Sequence, residues 1–551
     1  MPGDWFSVDG EFWSAPRHIP QRQAFDATIA HFYEAPSGDP SYPEVFTYTD
    51  HITYAPGDEV VFHASTTISS IAIEVSREST ERVVVHQSGP LRAGHHVTPE
   101  TYYETGCGWP SVHRWRVPLD ALSGFYVAVT RGVGPKGEVR EHEHGFVVRA
   151  SSPGKQADIL FVLPTSTWLA YSDWGGTNQY MGHFPHGQTG AAPIVSVQKP
   201  WAKGFMYLPE GAPRKKGETS RPPNGIPRYP ILEFAFARGY SRFYGSSGWA
   251  HYDRHFAMWA ERNGLKLDYA TQVDLHFRPE ILQHYKCVVT VGHDEYWSRE
   301  MRDAIDAYVE NGGHFARFAG NFAWQIRLED EGRRQVCYKE IAHTHDPVRG
   351  TDRKDRLTSM WEDPAVDYPG VSTTGLNSLQ GVYAAIGGLA ARHSGGFTVY
   401  RPEHWAFGGT GLSYGDDFGS AASIFGYEVD GLHYEIRNGL PYPCEAVPEG
   451  LEILAMGLAS NDEGPRTLKG SVRYYGTMTE QTYAGLAQAR YGKTSAELAD
   501  ASRRGSGMIV SFKRGKGEVF NAGTCDWVYG LKLHDPFVEL VTTNVLRRFC
   551  K

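Results

Sequence analysis

No run of about eighteen apolar residues occurs in this chain, so no helix is expected to cross a membrane. Residues Met1 to Pro20 contain no apolar stretch and carry Asp4, Asp9 and Glu11, which is not the pattern of a secretion signal. Cysteine is scarce. Cys107, Cys287, Cys337, Cys444, Cys525 and Cys550 are far apart and form no C-x-x-C pair. A disulfide framework and an all-thiolate zinc site are therefore not expected, and a reducing cytoplasm is. An excess of positive charge is missing too. The net charge of −9, from 54 Lys and Arg against 63 Asp and Glu, argues against a nucleic-acid partner, which calls for a basic face. The basic cluster Arg214-Lys215-Lys216 sits in Pro- and Gly-rich sequence and reads as a solvated loop.

What is present is enough for large cores. Hydrophobic residues make up 41% of 551 residues, a length that calls for more than one domain. Residues 1–40 read as a loosely structured arm. From about Tyr48 short β-rich runs alternate with turns: Ile52-Thr53-Tyr54, Val60-Val61-Phe62-His63, Ile71 to Val75, Arg82 to His86, Trp115 to Val117, Gly124 to Val129 and Gly145 to Arg149. That spacing predicts an N-terminal β-sandwich within residues 1–150. His142 and His144 alternate on one of its hairpins and are expected to face solvent.

After the turn Ser151-Ser152-Pro153-Gly154-Lys155 the pattern changes to α/β, predicting a catalytic domain over 155–551 with an insertion around 345–420. Asp158 to Leu163 and Cys287 to Val291 are continuous apolar strands of the kind a parallel sheet buries on both faces. Tyr252 to Asn263 reads as a helix closed by Gly264. Ser298 to Asn311 is amphipathic, with Met301, Ile305 and Val309 on one face and Gly312-Gly313 at its end. His314 to Phe318 and Gly517 to Asn521 are further strands, and Pro536 to Phe549 is a closing helix.

Ligands of open α/β sheets bind at the carboxyl ends of strands. There the chain offers Tyr171 after the first strand, His293, Asp294 and Glu295 after Cys287–Val291, and Asn321 after His314–Phe318. Polar groups converging on one sheet edge are what a site requires, whereas Asp294 and Ser298 have helix capping as a simpler role.

Other motifs lack their structural context. Gly411-Leu412-Ser413-Tyr414-Gly415 spells a nucleophile elbow but follows no apolar strand and precedes no helix. Gly132 to Gly137 spells a dinucleotide loop but joins two strands. His251 and His255 stand i, i+4 on a predicted helix, yet no Glu follows His251 as the H-E-x-x-H motif demands.

Several segments together resemble one known family. Thr167-Trp168 through Gly175-Gly176, Lys199-Pro200 with Gly204-Phe205-Met206-Tyr207, Gly292-His293-Asp294-Glu295-Tyr296-Trp297, and Gly426-Tyr427-Glu428-Val429-Asp430 are similar to the large subunit of N,N-dimethylformamidase, in order over roughly residues 45–545. The resemblance implies a glutamine-amidotransferase-like (flavodoxin-like) α/β catalytic domain. It also implies one Fe(III) per chain, held by two tyrosinates and a glutamate, and hydrolysis of a small N-substituted amide. Carried over by position, Tyr171, Tyr207 and Glu295 are the implied metal ligands, with Tyr180 competing for the place of Tyr207. Glu428 is the implied catalytic carboxylate, and His293 and Asn321 are the implied second-sphere or substrate-orienting groups. The resemblance further implies a homo-oligomer. This chain is expected to lack the family's extra lectin-like domain and a fused small subunit.

The implied chemistry is physically coherent. Phenolate and carboxylate oxygens are hard donors that suit Fe(III). Tyrosines ionise well below their usual pKa, near 10, only beside a strong cation. Two alternatives belong to other classes: a catalytically silent binding protein that keeps the fold, and a zinc hydrolase using His251 and His255.

Overall fold

The computed structural model describes residues 34–37, 39, 41–182, 191–213, 230–381, 395–460 and 480–551. Most of the N-terminal arm, and the Arg214-Lys215-Lys216 cluster, lie outside the described residues. The protein is a mixed α/β chain of two compact units. One comprises Met1–Ala212, Leu232–Pro279 and Arg327–Tyr338. The other comprises Pro213–Ile231, Glu280–Ile326 and Lys339–Lys551.

The first unit begins with two sheets. In the smaller, Glu59–Thr66 runs antiparallel between Val45–Thr49 and Ser111–Arg116. In the larger, the strand order is Thr53–Tyr54, Val139–Val148, Gly124–Val133, Ser70–Arg77 and Val83–Gln87, with Leu91–Arg92 also paired to Ser70–Arg77. Alternating residues point inward, as a period of two requires. Val60, Phe62 and Trp115 of the smaller sheet join Ile73, Val75, Tyr126, Phe146 and Val148 of the larger in one apolar cluster. Truncating a ring such as Phe146 to Ala there would cost about 3–5 kcal/mol.

The two histidines expected at the surface are not there. His142 and His144 are buried on Val139–Val148. Phe46 meets the His142 ring edge-on, Trp201 stacks over His144, and the Thr49 N–H donates to His144 Nε2 at 3.2 Å. Phe46, Thr49 and Trp201 cover the face of the strand that carries them. Burial pushes both imidazoles down, His142 to about 4.

The same unit holds the strand after the punctuating turn. Ile159–Leu163 is wholly buried and runs parallel to Leu267–Thr271. Helix Thr165–Tyr171 follows it directly. Thr271 caps the next helix, Gln272–Phe277: its hydroxyl accepts from the Asp274 N–H at 3.3 Å, and the Asp274 carboxylate accepts from the Thr271 N–H at 2.9 Å. The helix expected from Tyr252 starts at Arg254, after one π-helical turn over Trp249–Asp253. His251 thus lies outside the α-helix that carries His255.

In the second unit seven strands lie in the order Cys287–His293, His314–Gly320, Gly517–Asn521, Arg504–Arg514, Glu452–Ser460, Phe397–Val399 and Asp417–Phe418. The first three are parallel and the rest antiparallel. The last two come from the expected insertion, which thus extends the sheet. Helix Arg299–Glu310 connects the first two strands. Ser298 caps it by accepting from the Met301 N–H at 3.2 Å, and Met301, Ile305 and Val309 face inward. The closing helix Pro536–Phe549 is capped by Asp535 and buries Val538, Val541, Val545, Leu546 and Phe549. Each such side chain contributes about 1.5–3 kcal/mol when fully buried. Among the described residues no helix is long and apolar enough to cross a membrane.

Candidate functional site

Two parallel strands of the second unit end side by side. His293 is the last residue of Cys287–His293 and is in register with Gly320, the last residue of His314–Gly320. The backbone bends sharply just before His293 and just after Gly320. Gly292 has φ +69° and Asn321 has φ +62°, the left-handed region that Gly enters freely and Asn more readily than most residues. These turns hold His293 and Asn321 at the strand ends.

The Glu428 segment reaches the same place along a different path. Residues 426–430 lie antiparallel to the chain that leaves strand Gly517–Asn521. Asp430 N–H donates to Gly523 O at 2.9 Å, Cys525 N–H to Glu428 O at 3.1 Å, and Asp526 N–H to Gly426 O at 3.1 Å. A buried ion pair fixes this segment to the sheet. Arg317 lies 2.8 Å from Asp430 and also donates to the Asp294 carbonyl at 3.2 Å. The Asp430 carboxylate accepts from the Phe322 N–H at 3.2 Å, and Trp297 donates to Asp294 at 2.8 Å.

Four of the residues singled out in the sequence meet here. His293 Nε2 is 2.7 Å from Glu428 Oε2 and 3.3 Å from Glu295 Oε2. Asn321 Nδ2 donates to Glu428 Oε2 at 2.8 Å and lies 3.2 Å from His293 Nε2. Trp324 donates its indole N–H to Glu295 Oε1 at 2.8 Å, and its backbone N–H to the Glu295 carbonyl at 3.0 Å. Tyr427 meets the imidazole edge-on. His293, Glu295 and Glu428 are each at most 3% exposed.

Burial, the largest influence on His293, favours the neutral ring. The attraction of Glu428, joined by hydrogen bonds and charge from both carboxylates, outweighs it and leaves the imidazole pushed up to about 10. The imidazole lies between two carboxylates in a nearly dry, acidic site. Such a site favours a further cation or a polarised substrate.

The candidate tyrosines belong to the first unit. Tyr171 ends helix Thr165–Tyr171, is buried, and stacks on Tyr180 with ring centroids 4.3 Å apart. The Tyr207 hydroxyl donates a short hydrogen bond to Glu78. Burial, then the Glu78 charge, pushes the Tyr207 phenol up. His251 and His255 are buried and belong to no group of three potential metal ligands among the described residues. Ser413 lies in an exposed turn, its N–H donating to Asp416 at 2.7 Å, without the strand and helix of an elbow.

Sequence reasoning passed over Cys525. It stands with His293 and Glu428 in the group of potential ligand atoms, all within 4.8 Å of one another. It follows strand Gly517–Asn521, so applying the strand-end rule to that strand too would have found it.

Comparison with known proteins supplies the wider context. The family model described as N,N-dimethylformamidase beta subunit-like, C-terminal, matches residues 74–539. The chain belongs to this family. The N,N-dimethylformamidase beta subunit of Alcaligenes sp is 26% identical over 271 residues, which cover 48% of this chain and 32% of that protein. The N,N-dimethylformamidase beta subunit of Paracoccus aminophilus is 28% identical over 118 residues, 21% of this chain and 14% of that protein. The chain thus matches about a third or less of these relatives' length. Among solved structures, the sporulation control protein Spo0M of Bacillus subtilis matches 20% of this chain and 49% of its own at 17% identity, with a TM-score of 0.14, too slight a likeness to bear on the fold.

Proposed function

We propose that this protein hydrolyses the C–N bond of a small N-substituted amide, with Glu428 as general base and His293 and Asn321 as hydrogen-bond donors to the reacting oxygen. The observation that carries this reading is the convergence of His293, Glu295, Asn321 and Glu428 at the carboxyl ends of parallel strands, with His293 Nε2 2.7 Å from Glu428. Membership of the N,N-dimethylformamidase beta subunit-like family supports this reaction class.

Glu428 takes a proton from the attacking water and delivers it to the amine as the C–N bond breaks, giving a carboxylic acid and a free amine. His293, 2.7 Å away, holds the Glu428 carboxylate in place until then. With an amide seated, the N–H groups of His293 and Asn321 turn to the oxygen on which negative charge develops. Burial keeps bulk water from weakening these bonds.

The proposed cofactor is one Fe(III) per chain, which when bound would supply Lewis-acid polarisation of the amide carbonyl. Two contacts support a ligand role for Glu295: Trp324 fixes Oε1 and His293 Nε2 lies 3.3 Å from Oε2, so the carboxylate, a hard donor, is held in one orientation. Tyr171 and Tyr207 complete the ligand set by family resemblance. The stacking of Tyr180 on Tyr171, and the bond of Tyr207 to Glu78, favour Tyr180 in the place of Tyr207.

The finer architecture we propose is a β-sandwich formed by the two N-terminal sheets, followed by a flavodoxin-like α/β domain. The cluster fed by both sheets and the parallel strands with their connecting helix support it. A cytoplasmic, homo-oligomeric enzyme is also proposed. Six free thiols and symmetry as the common mode of assembly support this. The relatives are named as beta subunits, so purification with and without a co-expressed small subunit tests the assembly.

The deciding experiment is metal analysis with a visible spectrum on wild type and Tyr171→Phe, alongside amide turnover. About one iron per chain, with a tyrosinate band weakened in the variant, supports the reading. Colourless protein that cannot be loaded with iron and turns over no amide overturns it.

A further inference from the structure

We propose that His293 Nε2, a Glu428 carboxylate oxygen and Cys525 Sγ form an inhibitory site for a thiophilic divalent cation such as zinc. The inhibitory effect rests on the role proposed for Glu428. The metal site itself does not.

The three donor atoms lie within 4.8 Å of one another, and all three residues are buried. Imidazole nitrogen, carboxylate oxygen and thiolate sulfur form a mixed set that zinc takes readily, with one position left for water. Ideal zinc bonds of about 2.0–2.3 Å put such donors roughly 3.3–3.6 Å apart, so side-chain rotations of about 1 Å complete the site. The set differs in kind from hard oxygen ligands, since the sulfur selects softer ions.

The backbone behind the donors is tightly locked. Cys525 N–H donates to Glu428 O at 3.1 Å, and Val429 bridges to Thr524. The Thr524 hydroxyl lies 2.7 Å from the carbonyls of both Ile424 and Gly426. Gly320 backs directly onto this joint: a Cβ there would come within 2.6 Å of Cys525 N and 2.7 Å of Glu428 O. The three side chains are thus held together by main chain. Metal entry requires that the Asn321 amide release Glu428 and that the metal replace the hydrogen bond between His293 Nε2 and Glu428.

On binding, Cys525 gives up its thiol proton and His293 its Nε2 proton to solvent, so that thiolate and neutral imidazole coordinate, and no group is oxidised or reduced. Glu428, once coordinated, no longer accepts a proton from water. Amide turnover therefore falls as the cation binds.

The test is titration of the 551-residue chain, as purified, with Co(II), a zinc surrogate whose thiolate complex absorbs in the near ultraviolet. The expected result is a saturable thiolate-to-cobalt band, displaced by Zn(II), absent in Cys525→Ser, and accompanied by loss of turnover. Folded Glu428→Gln should bind Co(II) at least about ten-fold more weakly. No such band in folded wild type at excess Co(II), or an undiminished band in Cys525→Ser, overturns the site. A band in protein without amide turnover upholds the site and removes the amidase reading. Turnover without a band does the reverse.

Discussion

Trp324 holds Glu295 twice, through its indole at 2.8 Å from Oε1 and through its backbone N–H at 3.0 Å from the carbonyl. The second contact survives any side-chain substitution, so Trp324→Phe isolates the first. A hydrogen bond to a charged acceptor contributes about 1.5–3 kcal/mol. The expected outcome is a fall in kcat/KM of roughly 10–100-fold, with weaker retention of iron during dialysis. Unchanged kinetics and unchanged metal retention would show that Glu295 is oriented by the backbone alone.

Glu428 is expected to act only after the site is assembled. Glu428→Gln keeps the shape of the side chain and its contact with Asn321 but cannot accept a proton. Iron content should stay at the wild-type level while kcat falls by about 10²–10⁴. Single-turnover kinetics beside metal analysis separates the two. Full activity in this variant would remove Glu428 from the role of base.

Much of this site was legible because α/β sheets expose the residues that follow their strands. His293, Glu295 and Asn321 follow strands whose apolar runs are unmistakable, and Ser298 with Met301, Ile305 and Val309 marks the helix between those strands. Glu428 was reached through family resemblance alone. It lies on a loop whose place is set by pairing with residues 523–526, about a hundred positions away, and no local pattern encodes such pairing. The antiparallel half of the sheet escaped for the same reason. Alternation on Val139–Val148 was visible, but which face would be covered was not, so His142 and His144 were assigned to the wrong side.

That reversed assignment has a consequence in acid. The His142 imidazole titrates near 6.5 when unfolded and is lowered to about 4 in the fold, burial being the chief cause. Between these values the unfolded chain binds more protons, so stability rises with pH there. It is fully present above about 6.5 and is lost as pH falls towards about 4, by up to about 3 kcal/mol. Urea midpoints measured across this window should drop less for His142→Gln than for wild type. Parallel curves would show that His142 is protonated as easily in the fold as out of it.

The ion pair between Arg317 and Asp430 ties the Glu428 segment to the sheet, and both side chains are fully buried. Removing one partner strands the other charge in a dry interior, which costs about 3–5 kcal/mol. Arg317→Met should therefore lower the thermal midpoint sharply. Arg317→Met with Asp430→Leu should recover part of the loss, because the Asp430 charge is no longer stranded, while buried Asp294, 3.6 Å from Arg317, still lacks its cation and keeps the recovery incomplete. Activity is expected to diverge from stability. The double variant lacks the contacts from Asp430 to the Phe322 N–H and from Arg317 to the Asp294 carbonyl, so Glu428 loses its fixed position even where the fold is regained. If turnover recovers together with stability, the pair serves the fold only and Glu428 is positioned by its pairing with residues 523–526 alone.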